Sequence, residues 1–389
     1  MINRQLREEA ESIGKQLPVV TLLGPRQSGK TTLAKLAFPN HTYVSLEDLD
    51  RRREALDDPR GFLNANKNKH GLIIDEVQHA PDLLSYIQTY VDESEKPGEF
   101  VLTGSQNLLV NEKITQSLAG RVGILTLLPL SITELKAANK LSENVNEVMY
   151  QGFYPRIHGR NIDPRVLYPG YVQTYVERDV RSLKAIANLS EFQGFMKLCA
   201  GRCGQILNVV NLSNDCGVSA NTVKAWLSIL EATYIIFLLH PYHKNYRKRL
   251  IKSPKLYFYD VGLAAHLLDI QSPKDIANHY LRGGLFESMV IGDLYKQSYN
   301  RGRRPYLYFW RDQTGNEIDC IIEKGLEPTP LEIKATQTLS SSHFDGLTKW
   351  SKLASFDQQN AYLVYGGDQT QSWQKGKVVS WHDLDAIIT

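Results

Sequence analysis

The sequence has few of the features that mark secreted or membrane-spanning chains. It contains 4 cysteines in 389 residues, which excludes a small scaffold held together by disulfides. Its most apolar run, residues 226–239, is 14 residues long and falls short of the ~20 residues that cross a bilayer. Residues 1–14 are polar and lack the apolar core of a signal peptide. We therefore predict a protein of the reducing cytoplasm that spans no membrane.

The sequence also lacks an excess of charge of either sign. Lys and Arg number 45 against 42 Asp and Glu, a net charge of +3. A charged fraction of 22% and a hydrophobic fraction of 42% are typical of a globular protein and exclude a wholly disordered chain. Any nucleic-acid partner must therefore be argued from local clusters. At roughly 150 residues per domain, the length predicts two or three domains.

The first third of the sequence alternates apolar strands with helical segments. The strands are predicted at residues 18–24, 41–46, 71–77 and 99–104, with helices over 4–16, from Lys30, and over 81–91. Continuous apolar strands separated by helices indicate a parallel sheet that is covered on both faces. We predict an α/β domain over residues 1–150.

A glycine-rich loop follows the first strand. Residues 24–32, G-P-R-Q-S-G-K-T-T, fit the phosphate-loop pattern G-x-x-x-x-G-K-[ST], with a strand before and a helix after. Gly24 and Gly29 allow the backbone N–H groups to converge on phosphates, and the helix N-terminus adds positive potential. Lys30 would reach the β- and γ-phosphates, and Thr31 would bind Mg²⁺. The alternative is a glycine loop that arose by chance. The predicted nucleotide-binding residues are Gly24, Pro25, Arg26, Gln27, Ser28, Gly29, Lys30, Thr31 and Thr32.

Acidic and polar residues follow the next two apolar strands. Asp75 and Glu76 end G-L-I-I-D-E-V, at the sheet edge where open parallel sheets bind ligands. We predict that Asp75 holds Mg²⁺ through its water ligands and that Glu76 polarises the attacking water. The alternative is a solvated turn. Ser105 and Asn107, in V-L-T-G-S-Q-N, would orient the water or sense the γ-phosphate, unless they form an ordinary turn.

One arginine stands in the small and apolar segment S-L-A-G-R-V, residues 117–122. We predict that Arg121 reaches the nucleotide of a neighbouring subunit and stabilises the transferred charge, as an arginine finger does. The alternative is an ordinary surface arginine.

These segments resemble the bacterial and archaeal AAA-type ATPases that carry the C-terminal domain DUF4143. The similarity continues through Y-V-Q-T-Y-V-E-R-D-V-R (171–181), Y-F-Y-D-V-G-L-A (257–264), G-L-F-E-S-M-V (284–290) and Y-F-W-R-D-Q-T-G-N-E-I-D (308–319). The resemblance implies ATP binding, ATP hydrolysis and assembly into homo-oligomers. The sequence departs from other AAA proteins in having no clear second-sensor arginine after Arg121.

The middle of the sequence, residues 151–275, is predicted to be a helical and winged-helix region. Residues 211–231 indicate two short helices joined at Gly217, and strands are predicted over 234–241 and 255–260. The basic hairpin 244–255 between these strands has interleaved tyrosines and would contact DNA; a solvated hairpin is the alternative. A second basic patch, R-G-R-R, occupies residues 301–304. The cations of the hairpin are Lys244, Arg247, Lys248, Arg249, Lys252 and Lys255.

The last domain, residues 276–389, has three acids and a lysine in an ordered arrangement. Glu287 lies on a predicted helix and Asp319 on a strand, while Glu332 and Lys334 share one face of the next strand. This arrangement resembles the core of the PD-(D/E)xK nucleases. The carboxylates would bind Mg²⁺ or Mn²⁺, which activates water, and Lys334 would help to stabilise the developing charge. Ile318 stands where that family has proline. The alternative is a nuclease-like fold retained for binding or assembly.

The sequence thus predicts a P-loop NTPase parallel sheet, a helical and winged-helix middle, and a restriction-endonuclease-like α/β end. Cys199, Cys203 and Cys216 lack a fourth zinc ligand at regular spacing and are predicted to be buried thiols. The predicted function is a Mg²⁺-dependent AAA-type ATPase that remodels or translocates DNA, with nuclease activity in the last domain as an extension. The alternative is a non-catalytic ATP-binding switch or adaptor whose partner is a protein or a toxin–antitoxin component.

Overall fold

The computed structural model describes residues 2–105, 117–176, 188–242, 252–324 and 327–388. The chain divides into two units. The first comprises Met1–Leu130, Ala232–Tyr234 and Ser298–Arg303, and the second comprises the remaining residues. Within the described ranges, none of the helices has the length and apolar character needed to cross a membrane.

A parallel sheet with the strand order β2-β3-β4-β1-β5 forms the centre of the first unit. Its strands are β1 (Val19–Leu23), β2 (Thr42–Ser45), β3 (Leu72–Asp75), β4 (Phe100–Gly104) and β5 (Val122–Thr126). The helices that accompany them are α1 (Leu6–Gly14), α2 (Lys30–Ala37), α3 (Leu49–Asp57), α4 (Pro59–Asn66) and α5 (Leu83–Ser94).

Both faces of this sheet are buried, which explains the continuous apolar runs in its sequence. Along β1, Val19 and Leu23 pack into one hydrophobic cluster, whereas Val20 and Leu22 pack into a second. Successive side chains of a strand point to opposite faces, so each cluster receives alternate residues. The predicted parallel sheet covered on both faces is confirmed.

The second unit begins with helices and a small sheet of order β6-β8-β7. Gly217, with φ at 68°, ends one helix, and the Ser219 hydroxyl accepts from the Thr222 N–H at 3.1 Å to cap the next. The elements are α6 (Ile132–Ala137), α7 (Val145–Gln151), α8 (Pro155–Arg160), α9 (Pro164–Thr174), α10 (Leu189–Ala200), β6 (Gln205–Ile206), α11 (Val209–Cys216), α12 (Ala220–Ala232), β7 (Ile236–Leu239), β8 (Lys255–Phe258), α13 (Val261–Leu267) and α14 (Pro273–Asn278).

A mixed sheet of order β13-β14-β12-β11-β10-β9 follows in the second unit. The antiparallel β9-β10 pairing shifts register between Ile318 and Ile321, so Asp319 lies in a bulge, a feature that re-aims side chains. Strand β12 joins β11 in parallel after a helix. The elements are α15 (Arg282–Asn300), β9 (Leu307–Arg311), β10 (Glu317–Lys324), β11 (Glu327–Lys334), α16 (Asp345–Ala354), β12 (Tyr362–Tyr365), β13 (Gln371–Trp373), β14 (Gly376–Ser380) and α17 (Asp385–Ile388).

Candidate nucleotide site and carboxylate cluster

The glycine-rich loop turns from β1 into α2 through two glycines with positive φ. Gly24 has a φ of 150°, and a Cβ at this position would lie 2.1 Å from the carbonyl oxygen of Leu127. Gly29 has a φ of 97° and immediately precedes the first residue of α2. Only glycine fits at residue 24, because the loop runs directly against the segment that follows β5.

Two buried cations hold the loop from within the first unit. The Lys30 ammonium is 5% exposed and donates to the carbonyl oxygens of Gly24 at 3.0 Å and Pro25 at 2.8 Å. The Arg4 guanidinium donates to the carbonyl oxygens of Ser28 at 2.6 Å and Leu128 at 2.7 Å. Of the other predicted loop residues, Arg26 and Gln27 are half-buried and Thr32 is exposed.

Asp75, at the end of β3, is the centre of a hydroxyl cluster. The Thr31 hydroxyl lies 3.0 Å from both carboxylate oxygens, and the Tyr43 hydroxyl donates at 2.9 Å. The Thr103 hydroxyl donates to the same carboxylate from β4. Strand β4 lies between β1 and β3, so these side chains meet at one sheet edge. Burial and the Asp75 charge raise the pKa of Tyr43, which keeps its hydroxyl a donor.

Glu76 follows directly and adopts left-handed backbone geometry, with φ at 56°. Its carboxylate accepts from the Ser105 hydroxyl at 2.9 Å and from the Gln78 amide. Burial by itself would raise the pKa of Glu76, but the Lys30 charge and these hydrogen bonds outweigh it and lower the pKa. Glu76 is therefore ionised at neutral pH beside the phosphate loop. Asn107, predicted at this edge, lies outside the described residues.

Arg121 lies at the other edge of the same sheet. It immediately precedes β5, which pairs in parallel with β1, so the full length of a strand separates it from the phosphate loop of its own chain. Five residues of strand at ~3.3 Å each give a separation of about 16 Å. Its guanidinium pairs with Asp92, which raises the pKa of Arg121. The Arg121 side chain therefore does not reach the phosphate loop of its own chain.

The structure brings the four predicted nuclease residues of the second unit into one carboxylate cluster. Because Cys320 pairs with Leu331, Asp319 lies opposite Glu332 across β10 and β11. The Lys334 ammonium lies 2.5 Å from Glu332 Oε1 and 3.8 Å from Asp319 Oδ2. Glu287, on α15, is linked electrostatically to Asp319.

Lys255 is the main departure from the sequence interpretation. It was expected among the DNA-contacting cations of the hairpin 244–255, but its side chain is 4% exposed. Its ammonium lies 2.9 Å from Glu287 Oε1 and pairs with Glu317. Burial by itself would lower the pKa of Lys255, but Glu287 and the neighbouring acids raise it. Lys255 cannot contact phosphates in this position. Residues 243–251 of the same hairpin lie outside the described ranges, and Lys252 is exposed.

The cysteines are free thiols in this structure. Burial raises the pKa of Cys203 to about 12 and raises the pKa of Cys199 as well. Across the part of the chain that is described, His, Cys, Asp and Glu side chains form no group of three or more that could hold a metal ion. The carboxylate cluster therefore does not fit a divalent ion as it stands, since ammonium groups lie between its acids.

Sequence reasoning missed several residues of both sites. Thr103 lies two residues before Ser105, on the same strand face, and that spacing was a usable signal. Glu317 lies two residues before Asp319, and Tyr257, which donates to Glu287, lies two residues after Lys255. Arg4 had no local signal, because its partners lie 24 and 124 residues away in the sequence.

Three family models match successive parts of the chain. A model described as an AAA domain matches residues 16–136. Two domains of unknown function, DUF8612 and DUF4143, match residues 142–274 and 282–384.

Relatives match most of the chain. An uncharacterized protein of Mycobacterium tuberculosis is 31% identical over 358 residues, covering 90% of this chain and 77% of the relative. An uncharacterized protein of Haemophilus influenzae is 20% identical over 310 residues, covering 72% of this chain and 75% of the relative.

Solved structures give more distant similarities. A Walker-type ATPase of Pyrococcus abyssi is 15% identical with a TM-score of 0.46, covering 69% of this chain and 96% of that one. The RuvB Holliday junction branch migration motor of Thermotoga maritima is 19% identical with a TM-score of 0.33, covering 60% of this chain and 85% of that one.

Proposed function

Because this chain belongs to the AAA-type ATPases with a C-terminal DUF4143 domain, we propose that its first unit binds ATP with Mg²⁺ and hydrolyses it. The observation that carries the proposal is the meeting of Thr31 with Asp75, 3.0 Å apart at the edge of the sheet. Hydroxyl and carboxylate oxygens are the ligand types that Mg²⁺ prefers. These two residues would hold the ion beside the phosphate loop.

Each side chain at the loop has a part in this proposal. The loop N–H groups bind the phosphates, and the Lys30 ammonium turns from the loop carbonyls toward the phosphate oxygens. Mg²⁺, when bound by Thr31 and Asp75, neutralises charge on the phosphates. Glu76 orients and polarises the attacking water, and the Ser105 hydroxyl holds the Glu76 carboxylate in place.

The test compares ATP turnover with ATP binding in two variants. Glu76→Gln keeps the shape of the side chain but cannot act on water as a carboxylate does, so we expect turnover to fall by about 10²–10⁴-fold with ATP affinity retained. Lys30→Ala should lose both ATP turnover and ATP binding. Phosphate release and calorimetric titration measure the two quantities, with Glu8→Gln on the exposed side of α1 as the control. Wild-type turnover in Glu76→Gln would contradict the proposal.

A second function, a non-catalytic ATP-binding switch or adaptor, is favoured by one observation. Ser105 and Gln78 both donate to the Glu76 carboxylate, and these hydrogen bonds help to lower its pKa, which makes it a weaker base toward water. Such a switch would bind ATP and change its partner, a protein or a toxin–antitoxin component, without turnover. Tight ATP binding without phosphate release by the wild type, both with and without DNA, would select this function.

We further propose that the protein binds DNA and that ATP turnover moves or remodels this DNA. In support, α12 follows a tight turn from α11, the order of a helix-turn-helix, and exposes Asn221, Lys224 and Ser228. Amide, ammonium and hydroxyl groups donate to phosphates and base edges. Strands β7 and β8 follow α12 and pair with each other, which is consistent with the wing of a winged helix.

The DNA proposal is tested by charge reversal and by salt. Lys224→Glu should weaken binding to duplex DNA, and affinity should fall as salt rises because phosphate contacts release counterions. Lys352→Glu, on the exposed side of α16, is the matched control. Binding that is insensitive to salt, or equal in the two variants, would contradict a DNA partner.

A further inference from the structure

The carboxylate cluster of the second unit contains its own cations. Lys255 pairs with Glu287 and Glu317, and Lys334 pairs with Glu332 and Asp319. We propose that these two ammonium groups take the place of a divalent cation, so that the cluster is a metal-independent ion network. The ion network comprises Lys255, Glu287, Glu317, Asp319, Glu332 and Lys334.

One oxygen of each predicted metal-binding carboxylate is already in use. One Glu287 oxygen accepts from Lys255 and from the Tyr257 hydroxyl. One Asp319 oxygen accepts from the Ile333 N–H at 2.8 Å. One Glu332 oxygen accepts from Lys334 at 2.5 Å. A metal ion would have to displace these donors before it could coordinate these three oxygens.

The remaining Glu332 oxygen, Oε2, is buried without a hydrogen-bond partner. It lies against the first turn of α16, because a Cβ on Gly346 would stand 3.4 Å from it. Helix α16 therefore covers one side of this oxygen.

The ion network also joins elements that are distant in the sequence. Lys255 begins β8, Glu287 lies on α15, and Glu317 begins β10. The Lys255 ammonium therefore connects the small sheet, through β8, to helix α15 and to the mixed sheet, all within the second unit. This gives the nuclease-like carboxylates a structural role that requires no cleavage chemistry.

The test measures Mn²⁺ binding to the full-length, nucleotide-free protein by electron paramagnetic resonance. Wild type and Asp319→Asn should bind Mn²⁺ equally, since Asp319 holds no metal in the wild type. Lys255→Met should gain one Mn²⁺ per chain, and the added Asp319→Asn change should remove it. The phosphate loop is the same in all four proteins, so metal bound there cancels from the comparison.

Two outcomes would overturn the proposal. In the first, the wild type binds Mn²⁺ and the Asp319→Asn variant does not. This result does not depend on whether the Lys255→Met variant folds. The second is a folded Lys255→Met protein that gains no metal. Plasmid DNA incubated with Mn²⁺ gives an independent readout. Wild type and Lys334→Ala should leave the plasmid equally intact. Nicking by the wild type that Lys334→Ala abolishes would contradict a metal-independent ion network.

Discussion

Arg4 connects the start of the chain to two backbone segments that border the phosphate loop. It is 7% exposed and donates to carbonyl oxygens on both segments. Hydrogen bonds from a charged donor contribute ~1.5–3 kcal/mol, and the carbonyl groups would lose their donor if the side chain were removed. The guanidinium therefore holds the loop backbone at Ser28 against the segment that follows β5.

We expect Arg4→Ala to weaken ATP binding and to lower the free energy of unfolding of the first unit by ~1.5–3 kcal/mol. Urea denaturation and nucleotide titration measure these effects. The control is Arg7→Ala on the same helix: Arg7 forms a partly exposed pair with Glu11, worth ~0.2–0.5 kcal/mol. Equal effects of the two substitutions on ATP affinity would contradict the role of Arg4.

Glu332 gives the second unit a predictable dependence on pH. Its pKa is about 8 in the folded chain against an ordinary 4.5. The folded state binds the proton more tightly, so this contribution to stability is complete below pH 4.5 and is lost as the pH rises through about 8.

We therefore expect the second unit to become less stable from pH 5 to pH 8, and Glu332→Gln to reduce that slope because glutamine does not titrate. Denaturant unfolding across this pH range is the measurement. Glu191→Gln, on the exposed side of α10, should keep the wild-type slope. A slope unchanged in Glu332→Gln would show that the raised pKa is wrong.

At the scale of elements, burial decided what the sequence could predict. Strands β1, β3 and β4 are buried on both faces and produce continuous apolar runs. Strand β5 was missed, because its residues alternate between buried and partly exposed and include Gly123. Helix α3 was also missed, because only Ala55 is buried in it and no apolar periodicity marks it.

The phosphate loop and the carboxylate cluster also differ in how well the sequence predicts their residues. Lys30, Thr31 and Asp75 lie in a motif whose spacing is fixed by one loop and one strand end, so the sequence predicts them. Lys255 meets acids that lie 32 and 62 residues later in the sequence. No pattern in the neighbouring sequence distinguishes a lysine that forms buried ion pairs from one that is exposed on a hairpin. Whether a lysine is buried therefore depends on the fold.

Two glycines in neighbouring helices of the second unit should respond in opposite directions to alanine. Gly217 ends α11 with φ at 68°, so Gly217→Ala should destabilise by about 1 kcal/mol. Gly194 lies inside α10 with open space where a Cβ would be, so Gly194→Ala should stabilise by ~0.5–1 kcal/mol. Denaturant unfolding measures both, and shifts of the same sign would contradict the helix end at Gly217.

For the whole molecule, the position of Arg121 predicts that ATP turnover requires more than one chain. Arg121→Ala should lower turnover with ATP affinity unchanged. Mixing Arg121→Ala with Lys30→Ala should restore part of the activity, because an intact loop in one subunit then receives an intact arginine from its neighbour. Phosphate release across mixing ratios is the measurement.

The control for that experiment mixes Lys30→Ala with Glu76→Gln, both of which act on the nucleotide of their own chain. This pair should stay inactive in every ratio. Restoration in the control mixture, or none in the Arg121 mixture, would place Arg121 outside the reaction.

Strand β1 pairs with β4 on one side and with β5 on the other, and both partners come at least 77 residues after it. During synthesis, the phosphate loop therefore emerges long before the strands that hold it in place. We therefore expect the nascent chain to acquire a nucleotide site only after residue 126 has been made, and a chain truncated before that point should lack it.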